Sequence, residues 1–122
     1  MPIVDVELVR PVPAEVGSGL ARRIADGMGD TLDSRPQGTW VRLHFLAEQN
    51  YAENLDGGPE GIEPVFVSIL QAELPPEQQL AELAGRLATA IGLACSRPVA
   101  NVHVLFEPAA VGRLAFGGKL LT

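Results

Sequence analysis

Residues 2–9 read PIVDVELV, and residues 64–70, which start 62 positions later, read PVFVSIL. Further segments match at the same offset or at 61: residues 13–15 with 75–77, residues 34–36 with 96–98, and residues 41–45 with 102–106. Matches at one offset over half a chain indicate an internal repeat. The sequence therefore predicts two fused copies of one structural unit.

Each copy is expected to form a strand, a helix and a second strand. In the second copy, apolar residues follow the spacing of an amphipathic helix at Leu80, Leu83, Ala84, Leu87, Ile91 and Ala94. The first copy has a similar stripe at Val16, Leu20, Ile24, Met28 and Leu32. Glycines inside this first stripe weaken it by up to about 1 kcal/mol each relative to alanine. Both Ser-Arg-Pro segments indicate helix ends, because the residue before a proline avoids the helical region.

These units predict a single α+β domain over residues 1–122. A strand–helix–strand unit of this length joins two parallel strands by a right-handed crossover. Two units, at about residues 2–47 and 64–122, then give a four-stranded sheet with two helices on one face. Residues 48–63 form an acidic loop rich in glycine and proline, which is expected to be a linker or a functional loop with Tyr51 facing a pocket.

The other face of this sheet is expected to be covered by assembly. It mixes apolar with charged or polar side chains, at Val9, Leu70, Leu105, Asp5, Arg42 and His44. Such a face is too apolar to leave in water, and parallel sheets are normally covered on both sides. The sequence therefore predicts a homo-oligomer.

Composition narrows the class of protein. A net charge of −6 argues against nucleic acid or an anionic membrane as a partner. One cysteine, Cys95, excludes an internal disulfide and suits the cytoplasm, and no signal peptide or membrane span is expected. Two histidines and one cysteine without ligand spacing predict no metal site.

Pro2 is the strongest candidate for a catalytic residue. Methionine is normally trimmed before proline, and trimming would leave a secondary amine at the chain end. An α-amino group has a reference pKa of about 8, and burial beside cations lowers it towards neutrality. The alternative is that Pro2 only begins an edge strand, where its missing N–H costs nothing.

The closing segments carry a resemblance to a known family. Residues 101–107 read NVHVLFE and residues 112–120 read GRLAFGGKL, with Ala115 in place of a middle glycine. Together with the N-terminal proline and the repeat, they resemble the tautomerase superfamily, and the second copy is similar to the 4-oxalocrotonate tautomerase subunit. The resemblance implies a mixed four-stranded sheet, a homotrimer of fused units, and no cofactor.

The resemblance also implies a site. Pro2 would be the general base, which moves a proton from a carbon next to a carbonyl to another carbon, while arginines bind the carboxylate of a small anionic substrate. Pro64 matches Pro2 in the repeat but is an internal imide without a basic nitrogen. Arg42 matches the family's strand arginine that contacts substrate. Arg10, Arg113, Tyr51 and Phe116 are further substrate-binding candidates, although Arg10 lies two residues before the family's position.

The expected function is therefore a tautomerase or isomerase acting on a small enol or keto acid. Two alternatives stay open at this point. A protonated Pro2 would act as a general acid in hydration, dehalogenation or decarboxylation. A trimeric binding or structural protein would keep the fold without activity, which Val12 and Leu114 at positions of family site residues would favour.

Overall fold

The computed structural model describes residues 2–55, 57 and 63–122. In this part of the chain the strands and helices follow one another as β1 (Ile3–Val9), α1 (Ala14–Gly17), α2 (Leu20–Thr31), β2 (Trp40–Leu46), β3 (Val65–Leu70), α3 (Glu77–Cys95), β4 (Val102–Phe106), β5 (Ala115–Phe116) and β6 (Lys119–Leu120). The acidic connection is described only in part, because positions 56 and 58–62 lie outside these ranges.

Strands β1 to β4 form one mixed sheet in the order β2-β1-β3-β4. Within each repeat the strands are parallel, β1 with β2 and β3 with β4, whereas β1 and β3 meet antiparallel at the centre. The predicted α+β fold of two β-α-β units is therefore confirmed. Ile3 lies opposite both Trp40 and Leu70, so the start of the chain meets the start of β2 and the end of β3 at one end of the sheet.

The core lies between the sheet and the helices. Strand residues alternate between the two faces, and those on the helix side of the central strands are almost fully buried: Val4, Val6, Leu8, Val65, Val67 and Ile69. Helices α2 and α3 pack on them through Leu20, Ile24, Met28, Leu87 and Ile91. Each such side chain contributes roughly 1.5–3 kcal/mol by leaving water.

The first apolar stripe forms two helices rather than one. Gly19 has a φ of +67°, a left-handed conformation that ends the short α1 and precedes α2. Glycine adopts this conformation without the steric cost that a Cβ brings. By contrast, α3 runs unbroken from Glu77 after Pro76 to Cys95, as its spacing predicts.

Arg97 joins the two repeats from inside. It is only 6% exposed. Its guanidinium donates hydrogen bonds to the carbonyl oxygens of Val9 at 3.0 Å, Glu63 at 2.8 Å and Arg10 at 3.1 Å. A buried charge is tolerated when its donors are satisfied in this way. Arg97 thus holds the end of β1 beside the residue that precedes Pro64.

The C-terminal tail returns across the end of the sheet where Pro2 lies. The N–H groups of Glu107 and Ala110 donate to the carbonyls of Ile69 and Gln71, which carries the tail past the end of β3. The hairpin β5–β6 then turns through Gly117 and Gly118, whose φ angles are +57° and +86°. Two successive positive φ angles are the signature of a tight hairpin turn.

The sheet face away from the helices carries both apolar and polar side chains. Trp40, Phe66 and Leu105 on this face are 45%, 37% and 58% exposed. Val9, which the sequence also places here, is already buried within the chain. Among the helices of the described residues, none is long and apolar enough to cross a membrane.

Candidate active site

Pro2 lies at a cavity of about 400 Å³ at one end of the sheet. The other residues that line it come from the end of α2 and the connection to β2: Leu32, Asp33, Ser34, Arg35 and Gly38. Pro2 is half-buried, and its carbonyl accepts a hydrogen bond from the N–H of Trp40 at 3.0 Å. The cavity therefore brings the candidate base together with one cation, Arg35, and one anion, Asp33.

A β-turn of four residues presents Arg35 to this cavity. The N–H of Gly38 donates to the carbonyl of Arg35 at 2.9 Å, and Gln37 has a φ of +65°. Pro36 takes the second position, as is common in a type II turn. The hydroxyl groups of Ser34 and Thr39 lie 2.6 Å apart and join the two ends of the turn.

Gly38 is required where the turn closes. A Cβ built on Gly38 would lie 2.9 Å from the carbonyl oxygen of Arg35 and 3.1 Å from its Cγ. Real Cβ atoms are rarely as close to backbone as this, so a larger residue would push the turn open. The absence of a side chain at Gly38 therefore helps to set the position of Arg35.

The repeat relates Arg35 to Arg97. Both are the central residue of a Ser-Arg-Pro segment, 62 positions apart, as are Pro2 and Pro64. Arg97 donates to the carbonyl of Glu63, the residue before Pro64. The corresponding residue before Pro2 is Met1, which lies outside the described residues. Arg35 thus occupies the same repeat position as Arg97, which binds the residue that precedes Pro64.

Arg42, the strand arginine of the sequence prediction, lies on the sheet face away from the helices. Its Nε and Nη2 donate to the two carboxylate oxygens of Asp5 at 2.6 and 2.7 Å. This hydrogen bonding, followed by the charge of Asp5, raises the pKa of Arg42. His44 Nε2 lies 3.9 Å from the same carboxylate. Arg42 does not line the cavity at Pro2, so its contact with substrate stays a prediction.

Arg10 and Tyr51 interact with carboxylates away from Pro2. Arg10 Nε lies 2.8 Å from a carboxylate oxygen of Glu48, and its Nη1 lies 3.5 Å from one of Glu63. Arg10 is eight residue steps along the chain from Pro2, about 26 Å at roughly 3.3 Å per step of strand. The Tyr51 hydroxyl donates to Glu53 at 2.7 Å, which is the main cause of its raised pKa. Within one chain, therefore, Arg10 is remote from Pro2 and Tyr51 is bound to Glu53.

The two candidates in the C-terminal tail, Arg113 and Phe116, make different contacts. The guanidinium of Arg113 donates to the carbonyls of Pro108 and Ala109 at 2.9–3.3 Å, so it holds the tail in place. Phe116 instead meets the ring of Trp40 edge-on, with ring centroids 5.3 Å apart and an interplanar angle of 85°. Because Trp40 donates to Pro2, the hairpin reaches the candidate site through this pair.

Sequence reasoning missed Arg35 and Trp40 as site residues. The signal for Arg35 is present, because the repeat places it relative to Pro2 as Arg97 stands relative to Pro64. Trp40 gives no such signal, because its neighbours depend on where the tail and the turn meet.

The described part of the chain gives little support to a reactive thiol or to a metal site. Burial raises the pKa of the Cys95 thiol to about 11, so it holds little thiolate at neutral pH. Residues 2–55, 57 and 63–122 contain no group of three or more histidine, cysteine or acidic side chains arranged to hold a metal ion.

The fold is shared with solved structures of tautomerases. The structure described as Pt0534 inactivated by 2-oxo-3-pentynoate superposes with a TM-score of 0.78 at 17% identity, over 97% of this chain and 94% of that chain. A fused 4-OT, F6, described as a wild-type asymmetric trimer, gives 0.79 at 14% over the same shares. A macrophage migration inhibitory factor homologue from Prochlorococcus marinus gives 0.72 at 12%, over 98% and 99%. No family model and no curated protein matches the sequence.

These likenesses confirm the fold that the sequence resemblance implies. At such low identities they establish the fold alone, and the chemistry has to be argued from the residues at Pro2.

Proposed function

We propose that this chain, which has the tautomerase fold, is an isomerase that uses Pro2 as a general base on a small enol or keto acid bearing a carboxylate. The observation that carries the proposal is the cavity that joins Pro2 to Arg35. A base and a cation beside one small cavity are suited to proton transfer next to a carbonyl.

The proposed reaction begins once Met1 has been removed. The lone pair on the Pro2 nitrogen takes a proton from the carbon next to the carbonyl, and the electrons of that C–H bond move to form an enolate. The protonated Pro2 then returns the proton to another carbon of the conjugated system. Arg35 binds the carboxylate, which holds the reacting carbon beside Pro2.

The charge of Arg35 also helps to keep Pro2 unprotonated. A guanidinium near an amine disfavours the ammonium form and lowers its pKa below the usual value of about 8. Asp33, which lines the same cavity, acts in the opposite direction. Arg35 and Asp33 are therefore expected to shift the pKa of Pro2 in opposite directions.

The repeat supports one such site per chain. The nitrogen of Pro64 is bonded to the carbonyl carbon of Glu63, so it has no basic lone pair. In addition, Arg97 already donates to that carbonyl. The counterpart of Arg35 thus stabilises the fold of the second repeat and has no substrate to bind.

We further propose that the protein is a homotrimer. A fused 4-OT of the same fold is described as a trimer, and the sheet face away from the helices exposes Phe66 and Leu105. A substrate would have to displace Asp5 to reach Arg42. Arg10, Tyr51 and Arg113 stay predictions, because their polar atoms contact carboxylates or carbonyls of the same chain.

Ketonisation of the enol form of phenylpyruvate, or of 2-hydroxymuconate, by protein of verified mass without Met1 tests the proposal. Pro2→Ala is expected to lose about 10²–10⁴-fold in kcat/KM, the usual contribution of a general base. Arg35→Ala is expected to lose activity mainly through a higher KM. Arg86→Ala, on the exposed side of α3, is the matched control and keeps wild-type rates. A wild type without activity over a panel of enol acids would instead support the non-catalytic alternative.

Labelling provides a second test of the nitrogen itself. The Pro2 amine is expected to add to the alkyne of 2-oxo-3-pentynoate, forming an N–C bond while a proton ends on the carbon next to the carbonyl. Intact mass should increase by one reagent molecule per chain, and peptide mapping should place it on Pro2. Label on a different residue would contradict a reactive Pro2, and Pro2→Ala, whose chain end is a less nucleophilic primary amine, should be labelled more slowly.

A further inference from the structure

We infer that Trp40 is a positioning residue, which holds the turn that carries Arg35 and makes the C-terminal hairpin part of the substrate site. The inference rests on the proposed function, because it concerns how Arg35 meets the carboxylate. It assigns a role to the only tryptophan of the chain.

Trp40 binds the base and the turn at once. Its backbone N–H donates to the carbonyl of Pro2 at 3.0 Å. Its indole Nε1 donates to the carbonyl of Gln37 at 3.0 Å. A single side chain and its own backbone therefore connect the residue that would move the proton with the turn that would hold the carboxylate.

The indole hydrogen bond stabilises this turn, whose backbone is strained. Gln37 has a φ of +65°, a conformation that side chains other than glycine, asparagine and aspartate rarely adopt. The indole bond restrains the carbonyl of this residue. Trp40, Arg35, Pro36 and Gln37 also line one open cavity of about 450 Å³, so the ring stands beside the residues that it positions.

The hairpin sets where the indole lies. Trp40 is 45% exposed, so burial in the core does not fix its ring. The edge-on contact with Phe116 restrains the ring, in the geometry that aromatic pairs favour. The tail is thereby coupled to Arg35 through two contacts, Phe116 to Trp40 and Trp40 to Gln37.

Double-mutant kinetics test this coupling. Trp40→Phe keeps an aromatic ring but removes the indole donor. Because one hydrogen bond is lost, KM for the enol form of phenylpyruvate is expected to rise about 3–10-fold, with kcat changed less than twofold. In an Arg35→Ala background the same change should raise KM less than twofold, because the residue it positions is gone. Equal effects in both backgrounds would overturn the inference.

Two further variants serve as comparisons. Phe116→Leu removes the ring contact but leaves Trp40 intact, and it should raise KM in the same direction; it also carries the test if Trp40→Phe does not fold. Phe45→Leu removes an exposed aromatic side chain near the other end of β2 and should leave KM unchanged. A rise in KM for Phe45→Leu equal to that for Trp40→Phe would overturn the inference.

Hydrogen exchange separates this inference from the proposed function. The N–H of Gly38 closes the turn onto the carbonyl of Arg35, so its exchange should be at least several-fold faster in Trp40→Phe than in wild type or Phe45→Leu. If the wild type is inactive but Gly38 responds, the proposed function fails and the positioning role of Trp40 stands. If Gly38 exchange is unchanged, the positioning role is wrong whatever the activity.

Discussion

At the scale of single residues, the two repeats place the same arginine position in two different environments. Arg97 is buried and donates to three carbonyl groups. Arg35, its counterpart, lies at the surface beside a proline that can become a chain terminus. The difference follows from covalent structure, because the Glu63–Pro64 peptide bond supplies the carbonyl that trimming of Met1 would remove from Pro2.

The pKa of Pro2 should respond oppositely to its two charged neighbours. Arg35→Ala removes a positive charge and should raise the pKa, whereas Asp33→Asn removes a negative charge and should lower it. NMR titration of the Pro2 nitrogen measures both, with Arg86→Ala as the control. A wild-type value below about 7 would support the base, and a value above about 9 the acid of the alternative mechanisms. Values unaffected by either variant would contradict an electrostatic role for the cavity.

Arg97 should matter for stability far more than Arg113. Arg97→Ala leaves buried carbonyls without donors, so it should lower the free energy of unfolding by roughly 2–5 kcal/mol. Arg113→Ala also loses bonds to carbonyls, but at the surface, where water replaces them, and about 1 kcal/mol or less is expected. Urea unfolding of both variants measures the difference. Equal losses would mean that burial of Arg97 contributes nothing.

At the scale of elements, glycine decides where the first helix breaks. Gly19 has its positive φ between α1 and α2, whereas Gly85 lies within α3 with no atom near the position of an added Cβ. The apolar stripe of the first repeat is continuous across this break, so periodicity alone predicts a single helix. Backbone conformation, which the stripe does not report, separates the two segments.

Alanine at these two glycines should therefore have opposite effects. Gly85→Ala should stabilise the protein by up to about 1 kcal/mol, because it raises helix propensity in open space. Gly19→Ala should destabilise it by about 1 kcal/mol or more, because alanine is strained at that φ. Thermal or urea unfolding gives both signs. Stabilisation by Gly19→Ala would show that α1 and α2 can join into one helix.

At the scale of the whole molecule, the sheet face away from the helices carries side chains that stay exposed in a single chain. It carries exposed apolar side chains beside the Arg42–Asp5 pair, so a second copy of this chain would bury both. In a homotrimer the pair would be removed from water, where a satisfied bidentate geometry reduces its desolvation cost. In such a trimer the environment of Arg42 would depend on assembly.

A charge on this face should prevent assembly. Leu105→Glu places a carboxylate on the uncovered face and is expected to shift the protein from trimer to monomer. Leu93→Glu is the matched control, because Leu93 is 83% exposed on α3 and should tolerate the charge. Sedimentation velocity distinguishes the two. A trimer that survives Leu105→Glu but not Leu93→Glu would place the interface on the helices instead.

Most of the fold follows from patterns that act locally. The alternation in β1 and β3, the stripe of α3 and the Ser-Arg-Pro helix ends are each set by neighbours within a few residues. The site follows less well. Pro2 is a candidate because its chemistry depends on its position in the chain. Arg42 matches the family pattern and Arg10 lies two residues from it, but both are paired with acidic side chains.

From the sequence alone, the two β-α-β repeats and the apolar side chains of the second sheet face could be predicted, as could the hypothesis that only the proline of the first repeat acts as a base. These depend on period, offset and covalent connectivity, which can be read along a chain. Only the tertiary structure placed Arg35, Asp33 and Trp40 around that proline and Arg97 inside the fold. Their positions depend on where a turn, a returning tail and two strand ends meet, and contacts between distant segments leave no periodic signal.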